Sequence, residues 1–244
     1  MKKTACLLIC FLLLPQLTWA GPSSSPFIRQ IPGHLWKESK KISWGVPLVV
    51  LVLGGAVIAT LLPLDKPVRD HFRGNAAMPS LDKGLNWVGS PYLLSGASVL
   101  TYGIGHITHS PEVKRAGEAL SESLFLTGIT TIGLKLVTNR ERPNHADSLS
   151  FPSAHAAFTF DAASVITQLY GIKYGIPSYA LAGLISFSRI DANDHHLTDV
   201  VFGATLGTVV GTVVARLHRG TAPDFMLVPT ADNRQQGVAL IGHF

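Results

Sequence analysis

Residues 188–215 read SRIDANDHHLTDVVFGATLGTVVGTVVA, a polar block that runs straight into an apolar one. The second half, Val200–Ala215, carries no charge and sets Gly203, Gly207 and Gly211 four residues apart. That spacing lines the glycines along one helix face, where a neighbouring helix can approach closely. The first half gathers Ser188, Arg189, Asp191, Asp194, His195, His196 and Asp199 between the end of one helix and the start of the next. His195 and Asp199 lie four apart at a helix start, on one face and within reach of each other.

The same alternation of apolar runs and polar islands extends upstream. Ser43–Leu64 has no charge and is long enough to cross a hydrocarbon layer of ~30 Å. Leu85–Gly105 is a second uncharged run, followed by Ser123–Leu134, Ala156–Ile172 (interrupted by Asp161) and Ser178–Ser188. With Val200–Ala215 these make six helices of roughly 15–25 residues joined by short polar connections. Only the first two runs pass the usual length test for a membrane span, and the others also suit buried helices of a soluble bundle. The reading preferred is an all-α, six-helix, membrane-embedded bundle, with Asp161 turned to its interior because lipid would penalise it.

Composition narrows the class. The 244 residues are 47% hydrophobic and 14% charged, with a mean hydropathy of +0.30. That excludes a disordered or fibrous chain. Twenty basic against 15 acidic residues give +5, scattered rather than concentrated, so no nucleic-acid partner is expected.

Residues 1–20 read as a secretory signal: Lys2 and Lys3, the apolar Ala5–Leu14, and Thr18-Trp19-Ala20 before Gly21. Both cysteines, Cys6 and Cys10, would leave with it, excluding disulfides and thiolate metal sites from the mature chain. Residues 21–42 form a polar segment, 43–219 the helical domain and 220–244 a tail. In the tail, Val238, Leu240, Gly242 and Phe244 alternate with period two, so a short β-hairpin docked on the domain is expected. The compartment implied is a bacterial-type cell envelope. Within it, six spans after a cleaved signal put the 139–153 loop in the cytoplasm. Lys114, Arg115, Lys173, Arg216 and Arg219 put the opposite end there. A first run that packs without crossing reconciles the two, as does a wholly periplasmic protein.

Three polar islands carry the chemistry: Lys135 to Arg142-Pro143, then Pro152-Ser153-Ala154-His155, then Ser188-Arg189 through His195 to Asp199. An up-and-down bundle brings all three junctions to one end. Lys135, Arg142 and Arg189 supply cations, and the helix opening after Ser153 supplies free N–H groups. Each close cation contributes up to ~4 kcal/mol of Coulomb attraction at an effective dielectric near 20, enough to favour a tetrahedral oxyanion such as phosphate. Asp199 can fix the tautomer of His195 and leave its other nitrogen free to attack, while His155 exchanges protons at the opposite junction. Alone, each residue reads as a helix cap, a snorkelling cation or a surface pair. Jointly spaced, they read as a site. Asp191, Asp194, His195 and His196 are too nearly adjacent to converge on one metal ion.

The three blocks resemble the type 2 phosphatidic acid phosphatase (PAP2) superfamily, which also contains bacterial non-specific acid phosphatases and vanadium haloperoxidases. Its pattern of Lys-x6-Arg-Pro, Pro-Ser-Gly-His and Ser-Arg-x5-His-x3-Asp is met here without gaps, with Ala154 in place of the glycine. The resemblance covers roughly residues 85–217. It implies a PAP2-like helical fold and a metal-independent phosphatase without cofactor, acting on phosphate monoesters or pyrophosphates. His195 would attack phosphorus and Asp199 orient it, with His155 as acid and then base. Lys135, Arg142, Ser153, Arg189 and the Ala154 N–H would hold the phosphate oxygens. Apolar helices beside the site favour a phosphorylated lipid: phosphatidic acid, phosphatidylglycerophosphate, a polyprenyl diphosphate or lipid A. The expected location is the inner membrane with a periplasm-facing site. The alternatives are a soluble periplasmic acid phosphatase acting on small phosphoesters and, ranked lower, a vanadate-dependent haloperoxidase or a non-catalytic binder of anionic headgroups. Alanine at 154 would be strained by roughly 1–2 kcal/mol if that position needs a positive φ.

Overall fold

A computed structural model of the chain describes residues 52, 54–56 and 58–219, and the strands 225–232 and 235–242. The expected signal at 1–20, the polar segment 21–42 and most of the Ser43–Leu64 run lie outside the described residues. From residue 58 a helical stretch leads through a 3-10 turn at Leu62–Leu64 into α1 (Asp65–Phe72). Then follow α2 (Pro79–Val88), α3 (Pro91–Ile107), α4 (Pro111–Thr138), α5 (Ala154–Tyr170), α6 (Ile172–Asp191) and α7 (Leu197–Arg219). All lie in one compact unit, Val50–Ala222. Of a second unit, the strands β1 (Phe225–Asp232) and β2 (Gln235–Gly242) pair antiparallel, with Phe225 opposite Gly242.

The expected single helix over Leu85–Gly105 is divided at Gly89-Ser90-Pro91, where α2 ends and Pro91 opens α3. Proline has no N–H to extend the preceding helix and is well suited to the first turn of a new one. Among the described residues, the helices long and apolar enough to cross a membrane are α4 and α7, at 28 and 23 residues, rather than the divided Leu85–Gly105 run. Both extend beyond their uncharged centres through charged end turns. Lys114 faces Glu118 across one turn at 3.8 Å, and His218 on α7 reaches Glu122 on α4 at 2.9 Å. Only 28% of the apolar window of α4 is buried, so most of that helix faces outward.

The core of the unit is the seam between α5 and α7. A Cβ added at Gly203 would lie 2.5 Å from the Ser153 carbonyl oxygen. At Gly207 it would lie 1.9 Å from that of Ala157, and at Gly211 2.5 Å from that of Asp161. The three glycines thus contact three successive turns of α5 in the same order, and the two helices run parallel in direct backbone contact. Around this seam Ala156, Val200 and Ile190 pack in one cluster, and Leu124, Ala157 and Phe158 in another. Asp161 is fully buried there, its Oδ2 accepting from Thr127 Oγ1 at 2.5 Å. Because α6, which joins α5 to α7 in the chain, runs back the other way, α5 and α7 both begin at the end where α4 and α6 finish.

Candidate active site

Four helix termini meet at that end. At the finish of α4, Asn139 takes a left-handed conformation (φ 44°) as the C-cap and releases the chain into the 140–153 loop. Asn adopts this geometry more readily than most residues. Lys135, one turn back, donates to the Leu149 carbonyl of that loop. Ser153 precedes α5 as its N-cap residue, and its N–H donates to the Asp199 carbonyl at 3.0 Å, joining the starts of α5 and α7. The first N–H groups left without an intrahelical acceptor are therefore those of Ala154, His155 and Ala156. The Ser153 hydroxyl is fully buried and has no hydrogen-bond partner among the described residues. Ala154 is the first residue of α5 and is not among the positive-φ positions, so the methyl group there introduces no backbone strain.

His195 sits in the turn between α6 and α7 and is buried, 4% exposed. Arg142 Nη1 approaches its Nε2 at 3.2 Å and also donates to the Asp194 carbonyl at 2.9 Å. A guanidinium can only donate, so Nε2 accepts and the ring proton of the neutral imidazole resides on Nδ1. That nitrogen faces Asp199 Oδ2 at 3.7 Å, an ion-pair distance beyond hydrogen-bond reach. Burial holds the His195 pKa below the ordinary histidine value; Asp199 opposes this, and the Arg142 cation adds to it. Asp199 itself is wholly buried, with Oδ1 on Arg140 at 2.6 Å and Oδ2 accepting from Ser150 Oγ at 2.5 Å and the His196 N–H at 2.9 Å.

Across the site, His155 is half-buried, its Nε2 3.2 Å from the Asn86 carbonyl. Asn86 also holds the buried Arg189, through Oδ1 at 2.7 Å to Nη1. Arg189 Nη1 further reaches Asp194 Oδ2 at 3.2 Å, while its Nη2 donates to Asp82 and to Ser188 Oγ. Contacts thus run unbroken from His195 through Arg142, Asp194, Arg189 and Asn86 to His155, and all eight sequence-predicted residues lie at this one end. Arg189 is neutralised more fully than the sequence implies, because Asp82 arrives from α2. Asp191 stands apart: its carboxylate accepts the Ala77 and Met78 N–H groups at 2.6 and 2.9 Å and anchors the approach to α2. Among the described residues no cluster of His, Cys, Asp or Glu is arranged to hold a metal ion.

Asp82, Asn86, Ser150 and Asp65 carry no signal of their own in the sequence, and Arg140, which reads there as a substitute phosphate ligand beside Arg142, is instead bonded to Thr198, Asp199 and Asp65. Asp82 and Asn86 lie four apart on one short helix, a spacing that places both on one face. Nothing in the spacing pointed that face toward Arg189.

The model of the PAP2 superfamily matches residues 118–222. The chain is 32% identical over 136 residues to decaprenylphosphoryl-5-phosphoribose phosphatase of Mycolicibacterium smegmatis, covering 47% of this chain and 73% of that protein. It is 34% identical over 97 residues to lipid A 1-phosphatase of Porphyromonas gingivalis, which spans 38% of this chain but 21% of that protein. In fold it is similar to the transmembrane PAP2 type phosphatidylglycerolphosphate phosphatase of Bacillus subtilis, with a TM-score of 0.53 at 18% identity over 72% of this chain and 94% of that one.

Proposed function

This chain belongs to the PAP2 superfamily, and from that premise we propose that it removes phosphate from a phosphorylated lipid at the end of the bundle where α5 and α7 begin. The observation that carries the reading is the orientation of His195. Its unprotonated Nε2 faces the Arg142 guanidinium and its Nδ1 faces a buried carboxylate. A phosphoryl group drawn in by Arg142 arrives against the nitrogen that carries the lone pair.

The chemistry follows from that arrangement. Nε2 of His195 bonds to phosphorus as the bond to the leaving oxygen breaks, giving a phosphohistidine. Asp199 stabilises the positive charge that grows on the ring through Nδ1–H. His155 gives a proton to the departing oxygen, then takes one from the water that cleaves the phosphorus–nitrogen bond and regenerates His195. Lys135, Arg142, Arg189, the orphan Ser153 hydroxyl and the Ala154 N–H hold the non-bridging oxygens as charge shifts among them. These cations do the electrostatic work, so turnover is expected to persist in chelator.

A lipid substrate is supported by the outward surface of the bundle. Val99, Leu100 and Ile104 on α3 and Phe125, Ile132 and Leu136 on α4 are 54–68% exposed, far more apolar surface than water would favour. The relatives named above as phosphatases of lipid-linked or lipid A phosphates point the same way. Lys114, Arg115, Lys173, Arg216 and Arg219 all lie at the end remote from His195, which under the positive-inside tendency faces the site away from the cytoplasm. The test is a phosphate-release panel of phosphatidic acid, phosphatidylglycerophosphate, polyprenyl diphosphate, lipid A and p-nitrophenyl phosphate, in chelator. Wild type should turn over lipid substrates fastest, and His195→Ala should lose about 10⁴-fold or more of the rate. Release confined to p-nitrophenyl phosphate would instead mark an enzyme of small soluble esters.

A further inference from the structure

Arg140 lies two residues before Arg142 in the same polar island, yet it faces away from the phosphate cradle. Both of its terminal nitrogens are held by protein acceptors. Nη1 donates to Asp199 Oδ1 at 2.6 Å and Thr198 Oγ1 at 2.7 Å, and Nη2 donates to Asp65 Oδ2 at 2.7 Å. Asp65 is itself buried and completes a closed ring. It accepts the Thr198 N–H at 2.9 Å on Oδ1 and the Thr198 hydroxyl at 2.6 Å on Oδ2. A planar guanidinium bridging two carboxylates leaves neither of them free to rotate.

We infer that Arg140 is a positioning residue that fixes the Asp199 carboxylate toward His195, and that Asp65 fixes Arg140 in turn. The inference rests on the phosphohistidine reading given above. Arg140 is partly exposed whereas Asp199 has no exposed surface, so a water entering the space that Arg140 vacates would donate to Oδ1 without the charge or the tie to Asp65. Without Arg140 the carboxylate is free to turn toward another donor or to take up a proton. Either outcome removes the partner of Nδ1 and weakens the nucleophile. Arg140 makes no contact with the cradle, so phosphate binding is spared. The signature is a fall in kcat at nearly constant KM, the reverse of what loss of a phosphate ligand produces. The ring also ties the catalytic turn to Asp65, the first residue of α1, directly after the Ser43–Leu64 run. Correct seating of that early part of the chain thereby becomes a condition for turnover.

The experiment is steady-state kinetics of the full chain in detergent micelles, on whichever panel substrate the wild type hydrolyses fastest. The variants are Arg140→Ala, Arg140→Lys, Asp65→Asn, their double mutant and Arg142→Ala, with Arg69→Ala, whose exposed guanidinium pairs with Asp70, as the control. Circular dichroism and thermal melting identify any variant that has lost its fold, and Arg140→Lys and Asp65→Asn are the milder changes that keep the comparison readable. Arg140→Ala should lower kcat about 10–100-fold with KM within about threefold. Arg140→Lys should recover part of the loss, and Asp65→Asn combined with Arg140→Ala should cost little more than Arg140→Ala alone. Arg142→Ala should instead raise KM. Unchanged kcat in folded Arg140→Ala, or a rise in KM with kcat intact, overturns the positioning role while leaving the phosphatase reading in place. A wild type that releases no phosphate from any panel member overturns both.

Discussion

His195 is deprived of water and set between a cation and a carboxylate, and burial dominates the balance. Because the pKa is lowered, the imidazole stays neutral, and so nucleophilic, to a pH below its ordinary value near 6.5. The acid limb of kcat/KM is therefore expected to lie below that value, with activity falling only as pH drops further; a pH–rate profile on the preferred substrate checks this. Ala154 makes the opposite point about a residue that looks anomalous in sequence. Its place in the first turn of α5 is helical, so Ala154→Gly restores the family residue without relieving any strain. Its rate should stay within about twofold of wild type, and the added backbone freedom should lower stability by up to about 1 kcal/mol, measured by thermal melting. The eight residues were legible because each is a polar side chain interrupting an apolar run, and their spacings match a known pattern. Arg140, Asp65 and Asp82 were not, because their function comes from which buried group they touch, and spacing along the chain does not encode that.

Among the elements, the α5–α7 seam controls whether the site exists at all. Gly207 has its missing Cβ 1.9 Å from a carbonyl oxygen of α5, whereas Gly183 in α6 has nothing within 4 Å. Gly207→Ala should force the helices apart, costing about 1–3 kcal/mol and reducing activity as His155 and His195 separate. Gly183→Ala should be neutral or stabilise by about 0.5–1 kcal/mol. Melting temperatures of both variants in the same detergent decide it. The glycine spacing announced this contact in the sequence, since small residues four apart mark one face. It did not name the partner helix. The break at Pro91 was equally available to sequence reasoning and was outweighed by the absence of charge across Leu85–Gly105; local proline stereochemistry took precedence over hydropathy. The lengths of α4 and α7 were underestimated for a related reason, because paired charges such as Lys114 with Glu118 are compatible with a continuing helix.

For the whole molecule, the basic end and the catalytic end lie at opposite termini of the same helices. If the basic end is cytoplasmic, a cysteine introduced by Ser148→Cys should react with a membrane-impermeant maleimide in intact spheroplasts, and one from Arg115→Cys only after permeabilisation. The reverse pattern would invert the orientation. Extraction of active protein should likewise require detergent, and complete release by osmotic shock would contradict a membrane location. The parallel run of α5 and α7 has one more effect on this scale. The dipoles of the two N-termini are offset by the C-termini of α4 and α6 at the same end, and the opening amides of α7 are already taken by Asp65 and Asp199. What is left for an anion is local: the first amides of α5 keep their protons at every pH. Even a cradle stripped of one arginine would keep these backbone donors.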